Sequence, residues 1–145
     1  MRPPDPVVFV FGATGYVGTA LCGAAARVEH VVRIVAHARP HSSRADDLAA
    51  RVRDSDPPIE IDRTPLERDA MARTLERLAP THVFLCHGTT ARAARAEGIV
   101  DPYEAVDVGL TRLVLDAAAG IDPAPRIVYL SSVGTSGRAR GAYLR

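Results

Sequence analysis

Gly12, Gly15 and Gly18 fall three residues apart in the run Gly12-Ala-Thr-Gly-Tyr-Val-Gly18, directly after the apolar stretch Val7–Phe11. A residue with no side chain lets the backbone turn sharply and approach a bulky ligand closely. If a helix follows, its first N–H groups and the positive end of its dipole face that ligand, which suits a phosphate or a pyrophosphate. In such a loop Gly12 makes the turn, Gly15 admits the phosphates and Gly18 lets the helix pack near the strand. Glycines punctuate many turns, so the triplet gains its weight from the strand before it and the helix after it.

A second candidate stands 21 residues past Gly18, where a β-branched run ends in Ala36-His-Ala-Arg39 with no acid. A carboxylate there would take hydrogen bonds from the ribose 2′-hydroxyl of NAD, whereas a cation favours the 2′-phosphate of NADP. Arg39, with His37 beside it, therefore points to NADP as cofactor, with NAD as the alternative. Ser131 and Ser132 follow a later apolar run and lie, with Tyr143, in a polar tail rich in Ser and Gly; read alone, they are loop hydroxyls. No Gly-x-Ser-x-Gly turn joins a strand to a helix, which disfavours a Ser-His-Asp hydrolase. His82 and His87 are on and just beyond one strand at odd spacing, hence on opposite faces, so no shared metal is expected.

The elements that must position these residues alternate along the chain. Val7–Phe11, Val31–Val35, Ile59–Ile61, His82–Cys86 and Arg126–Leu130 read as strands. Helices are predicted from Val17 to Val28, from Ser43 to about Arg53, from Thr64 to Leu78 and from Asp101 to near Gly120. Ser43 with Asp46, Thr64 with Glu67 and Asp101 with Glu104 supply the spacing of helix caps. Strands alternating with helices predict an α/β fold: a doubly wound parallel Rossmann sheet of three layers, α/β/α, in strand order 3-2-1-4-5.

The length of 145 residues and the 47% hydrophobic content suit one domain, residues 1–145, with a single core. Eighteen Lys and Arg against 17 Asp and Glu leave a net charge of +1, which gives no field to gather nucleic acid or an anionic membrane. The apolar run after the Pro-rich start is too short for a signal peptide or a membrane span, so a cytoplasmic protein without membrane or nucleic-acid partners is expected. Cys22 and Cys86, with no further Cys or His at ligand spacing, read as reduced thiols.

The glycine run, with Leu130-Ser-Ser-Val133 and a later Tyr, resembles the extended and atypical short-chain dehydrogenase/reductases. Val83-Phe-Leu-Cys-His-Gly-Thr-Thr-Ala-Arg92 and Ala105-Val-Asp-Val-Gly-Leu-Thr-Arg-Leu113 resemble the atypical members related to Tat-interacting oxidoreductase-like proteins and to bacterial nucleoside-diphosphate-sugar epimerase-like proteins. The likeness covers nearly all of residues 7 to 145 and implies hydride transfer between NAD(P) and a carbonyl or alcohol. It places Gly12, Thr14, Gly15, Tyr16, Val17 and Gly18 around the pyrophosphate, Arg39 at the adenosine ribose and Asp62 by the adenine. Gly88 and Thr89 would line the middle of the cofactor, Ser132 would position the substrate oxygen and Tyr143 would be the general acid/base. In the family a Lys four residues after that Tyr lowers the phenol pKa; here that position is 147 and the sequence ends at Arg145. The expectation is therefore a cofactor-binding portion, lacking the later strands and the substrate segments, that does not turn over alone. Its fifth-strand edge would invite self-association. A non-catalytic module that senses NADP(H) or docks a partner, or an inactive remnant, is the alternative.

Overall fold

The run Val7–Phe11 is apolar at every position, so it gains most where both faces are covered, and it becomes the central strand. The computed structural model describes residues 5–89 and 91–130. Strands β1 (Val7–Phe11), β2 (Arg33–His37), β3 (Ile59–Asp62), β4 (His82–Leu85) and β5 (Arg126–Tyr129) form one sheet. Helices α1 (Tyr16–Ala25), α2 (Arg44–Arg51), α3 (Arg68–Leu78), α4 (Ala91–Ala96) and α5 (Gly109–Ala118) connect them, α5 being preceded by a π-helical segment, Tyr103–Val108. The strand order is β3-β2-β1-β4-β5, and every pairing is parallel, as the alternation predicts.

Successive residues of β1 feed opposite layers. Val8 and Val10 pack with Cys22 and Ala25 of α1, Leu48 of α2 and Ile34 of β2. Phe9 and Phe11 pack with Met71, Leu75 and Leu78 of α3 and with Val114 and Ala117 of α5. Both thiols are desolvated, and burial pushes Cys22 up to about 12 and Cys86 up to about 11, which keeps them protonated. At the amino edge of the sheet Thr81 ties strands together: its N–H donates to Val7 O at 2.9 Å, its hydroxyl accepts from the Val7 N–H at 3.0 Å, and its carbonyl accepts from the Arg126 N–H at 2.9 Å. Along the outer side of β5, Val128, Tyr129 and Leu130 are exposed. Among the described residues no helix is long and apolar enough to cross a membrane.

Several expected boundaries move, each for a local reason. The second strand starts at Arg33, since the Val31 N–H is turned back onto Val28 O; the Val32 N–H already donates to Pro6 O, just ahead of β1, and the register with β1 then carries the strand on to His37. The third helix starts at Arg68 with Glu67 as its N-cap, not at Thr64. Both the N–H and the hydroxyl of Thr64 are within hydrogen-bond reach of the Asp62 carboxylate, and its oxygen is 2.8 Å from the Thr74 hydroxyl, so this local turn outcompetes the capping box. Ser43 makes no side-chain cap either. Asp101 does cap, accepting the Glu104 N–H at 3.0 Å, but the helix it opens is first π-wound. The short α4 was not expected.

The layer between the sheet and α3 is closed to solvent at Met71 and Leu75. Leu75 has no exposed surface, and Leu75→Ala is expected to lower the free energy of unfolding by about 2–5 kcal/mol, read from urea denaturation.

Candidate dinucleotide site

The carboxyl ends of β1, β2 and β4 converge on the loop between β1 and α1. Gly12 has φ +80°, and a Cβ there would lie 2.6 Å from the backbone nitrogen of His87. A Cβ on Gly18 would collide with the Gly12 carbonyl oxygen and stand 2.7 Å from Ala13 Cα. Gly18 is therefore demanded by the contact of α1 with the end of β1, and Gly12 by its positive φ and the backbone just past β4. Gly15 differs, because it has extended backbone at the N-cap of α1 and a Cβ there would be 3.4 Å from Gly12 O. The Thr19 hydroxyl donates to Ala13 O at 2.9 Å and the Gly15 N–H to Gly12 O at 3.2 Å, which fixes the loop.

No side chain caps α1 and no acid stands in its first turn. The N–H groups of Tyr16, Val17 and Gly18 have no acceptor within the helix, since the ladder begins with Thr19 N–H to Gly15 O at 2.9 Å. Tyr16 is 95% exposed, so it leaves this end open. Beside it lies a groove of about 190 Å³ lined by Thr14, Thr19, Arg44, Asp47, Leu48 and Arg51. An anion at the loop meets three amide donors, a helix dipole and flanking guanidinium groups.

Arg39 stands just past β2 and is exposed, and its guanidinium meets Glu97 in two bonds, at 2.9 and 3.3 Å. That hydrogen bond pushes the Arg39 pKa up and the Glu97 pKa down, Arg44 adding to the second effect. His37, expected beside Arg39 as a second cation, is instead a core ring. With β2 extended to its position it is only 2% exposed, stacks on Phe11 at 4.8 Å and donates from Nε2 to Thr64 O at 2.9 Å. Desolvation pushes its pKa down, so it is neutral where a second cation was expected. Asp62 pairs in register with His37 at the end of β3, its carboxylate occupied by Thr64. Gly88 is exposed and Thr89 half-buried past β4. Ser132 and Tyr143 lie outside the described residues.

The structure adds a feature that the sequence reading missed. The rings of His37, Phe11, His87 and Tyr129 form a row under the carboxyl edge, with centroid separations of 4.8, 5.1 and 6.1 Å. Next to it a cavity of about 370 Å³ is lined by Tyr103, Asp107, Thr111, Arg112 and Tyr129, among others. The signal was a His two residues beyond an apolar strand, weighed only as a metal ligand. Among the described residues no three His, Cys, Asp or Glu side chains gather as a metal set.

An open parallel sheet whose strand order reverses at β1, with a glycine turn leading into an uncapped helix at its carboxyl edge, is a dinucleotide-binding Rossmann domain. The chain belongs to the NAD dependent epimerase/dehydratase family, whose family model matches residues 8–142. Among solved structures it is similar to a short-chain type dehydrogenase/reductase from Mycobacterium ulcerans, at 21% identity and a TM-score of 0.66, covering 99% of this chain and 58% of that one. It is also similar to UDP-glucose 4-epimerase from Brucella ovis in complex with NAD, at 18% identity and TM-score 0.66, covering 94% of this chain and 39% of that one. UDP-glucuronic acid 4-epimerase from Bacillus cereus in complex with NAD matches at 16% identity and TM-score 0.64, covering 93% of this chain and 42% of that one. At such identities the likeness establishes the fold, and the chain spans roughly two fifths of the length of the two epimerases. No curated protein matches the sequence.

Two stability measurements test this geometry. Gly18→Ala is expected to cost about 1–3 kcal/mol or more through overpacking, while Gly15→Ala changes the unfolding free energy by less than about 1 kcal/mol. A buried imidazole with a lowered pKa contributes stability above the unfolded value of about 6.5 and loses it as pH falls below that value. Thermal midpoints should therefore drop between about pH 7.5 and pH 5, and His37→Leu should flatten part of the slope, with His87 supplying the rest.

Proposed function

We propose that this chain binds a nicotinamide dinucleotide across the carboxyl edge of its sheet and forms the cofactor-binding part of an oxidoreductase or epimerase that works by hydride transfer. The observation that carries the reading is the amino end of α1, which is uncapped, free of acids and held against β1 by Gly18, with Gly12 making the turn before it. In this reading the diphosphate sits on the amides of Tyr16, Val17 and Gly18, with Thr14 and Gly15 beside it. The adenosine extends toward β2, Arg39 and Asp62, and the other half passes Gly88 and Thr89. When bound, the nicotinamide supplies the position that gives or takes a hydride. Ser132 then hydrogen-bonds the carbonyl or alcohol oxygen of a small-molecule substrate, and Tyr143 exchanges its proton.

NADP is the cofactor this reading favours, because the stretch Ala38–Arg44 after β2 holds two cations, Arg39 and Arg44, and no acid of its own. A 2′-phosphate carries more charge than the Glu97 carboxylate and forms bidentate bonds to a guanidinium, so it displaces Glu97 from Arg39. NAD has no group to do so.

Titration calorimetry with both cofactors tests this. Gly15→Ala, whose methyl group enters the anion cradle while the fold is kept, is expected to weaken both cofactors about tenfold or more. Arg39→Ala should weaken NADP more than NAD, and Glu97→Gln should strengthen NADP several-fold by releasing Arg39. Folded wild-type protein that shows no saturable binding of either cofactor would defeat the reading.

A further inference from the structure

His87 stands two residues beyond β4, its backbone against Gly12 of the glycine loop. Its ring meets Phe11 edge-on at 5.1 Å and faces Tyr129 at 6.1 Å, while Nε2 lies 3.0 Å from the Thr111 hydroxyl oxygen. That hydroxyl spends its one proton on the Asp107 carbonyl. Nε2 must therefore be the donor to Thr111, and this fixes the tautomer: Nδ1 carries the lone pair. Nδ1 is buried and, among the described residues, is the one buried side-chain nitrogen or oxygen without a hydrogen-bond partner. Buried acceptors are as a rule satisfied, and a native exception calls for a partner such as water, an ion or a ligand.

The place of the atom indicates which ligand. The adenosine half of a dinucleotide bound at α1 lies toward β2, so its other half must cross β1 to the β4 side, where His87 stands. Phe11, Tyr129 and Thr111 hold the ring from three directions, so the acceptor is preorganised. Desolvation keeps the ring neutral and accepting, against the opposing backbone hydrogen bond and, after it, the charge of Asp107.

We propose that His87 Nδ1 accepts a hydrogen bond from the nicotinamide half of the bound dinucleotide, from a ribose hydroxyl or the carboxamide amine. The proposal rests on the reading of the glycine loop as the diphosphate site, and it adds a residue that tells the whole cofactor from its adenosine diphosphate half.

The test measures binding of NAD, ADP-ribose and ADP at pH 8 to wild type, His87→Leu and His87→Asn. His87→Leu is expected to weaken NAD about five- to tenfold, the worth of one hydrogen bond, and to leave ADP within about twofold. His87→Asn, which keeps an acceptor on the same carbon, should restore most of the loss. If ADP-ribose weakens with NAD the donor is a ribose hydroxyl; if NAD alone weakens it is the carboxamide. Melting curves without ligand establish folding, and Thr111→Val, which frees the ring from its anchor, should give a smaller loss of the same selectivity should His87→Leu not fold. Equal NAD binding by wild type and folded His87→Leu, or a proportional loss of ADP, overturns the proposal. Wild type that measurably binds none of NADP, NAD and ADP defeats the loop reading along with it.

Discussion

The approach of α1 to β1 is the contact on which the rest of the site depends. Gly18 sits where any side chain would strike Gly12 and Ala13, and Gly12 sits where one would strike the backbone after β4. With both positions bare, the helix lies close enough to aim its first amides over the end of the central strand. Each further candidate, from Arg39 to Gly88, is placed relative to that end because β2 and β4 flank β1 in parallel register. The open helix end at this edge is thus a product of backbone proximity before it is one of any side chain.

Strand–helix alternation and the apolar run of β1 made the sheet order legible, because those signals come from covering a strand on both faces. The glycine spacing was legible because close backbone contact leaves few residue choices. What the sequence hid were contests between neighbours. Thr64 has the spacing of a capping residue, yet Asp62 stands two residues before it and takes both its donors. His37 reads as a cation next to Arg39, yet two more residues of β2 turn it into the core, where Phe11 and the Thr64 carbonyl accept it. The pairing of Arg39 with Glu97 joins residues 58 apart, which no local pattern reports.

The crevice carries its charge unevenly. The β2 side holds the exposed guanidinium groups of Arg39 and Arg44, partly answered by Glu97, and the groove beside the loop adds Arg51 together with Asp47. Under the crevice lies the row of four rings, in which burial holds both imidazoles neutral. An anionic portion of a ligand is drawn to the first region and an uncharged ring system suits the second.

Thr81 lies at the far edge, where its backbone and hydroxyl lock Val7 and Arg126 to the start of β4. This pins the strands at one margin of the sheet, while the glycine loop lies at the other, about four residues of strand away, or roughly 13 Å at the usual rise. At that carboxyl margin the residues just past the strands are still laced to their neighbours, Ala38 N–H to Asp62 O, Cys86 N–H to Phe11 O and Leu130 N–H to Leu85 O. Freedom to vary therefore begins one residue beyond each strand, outside that lacing.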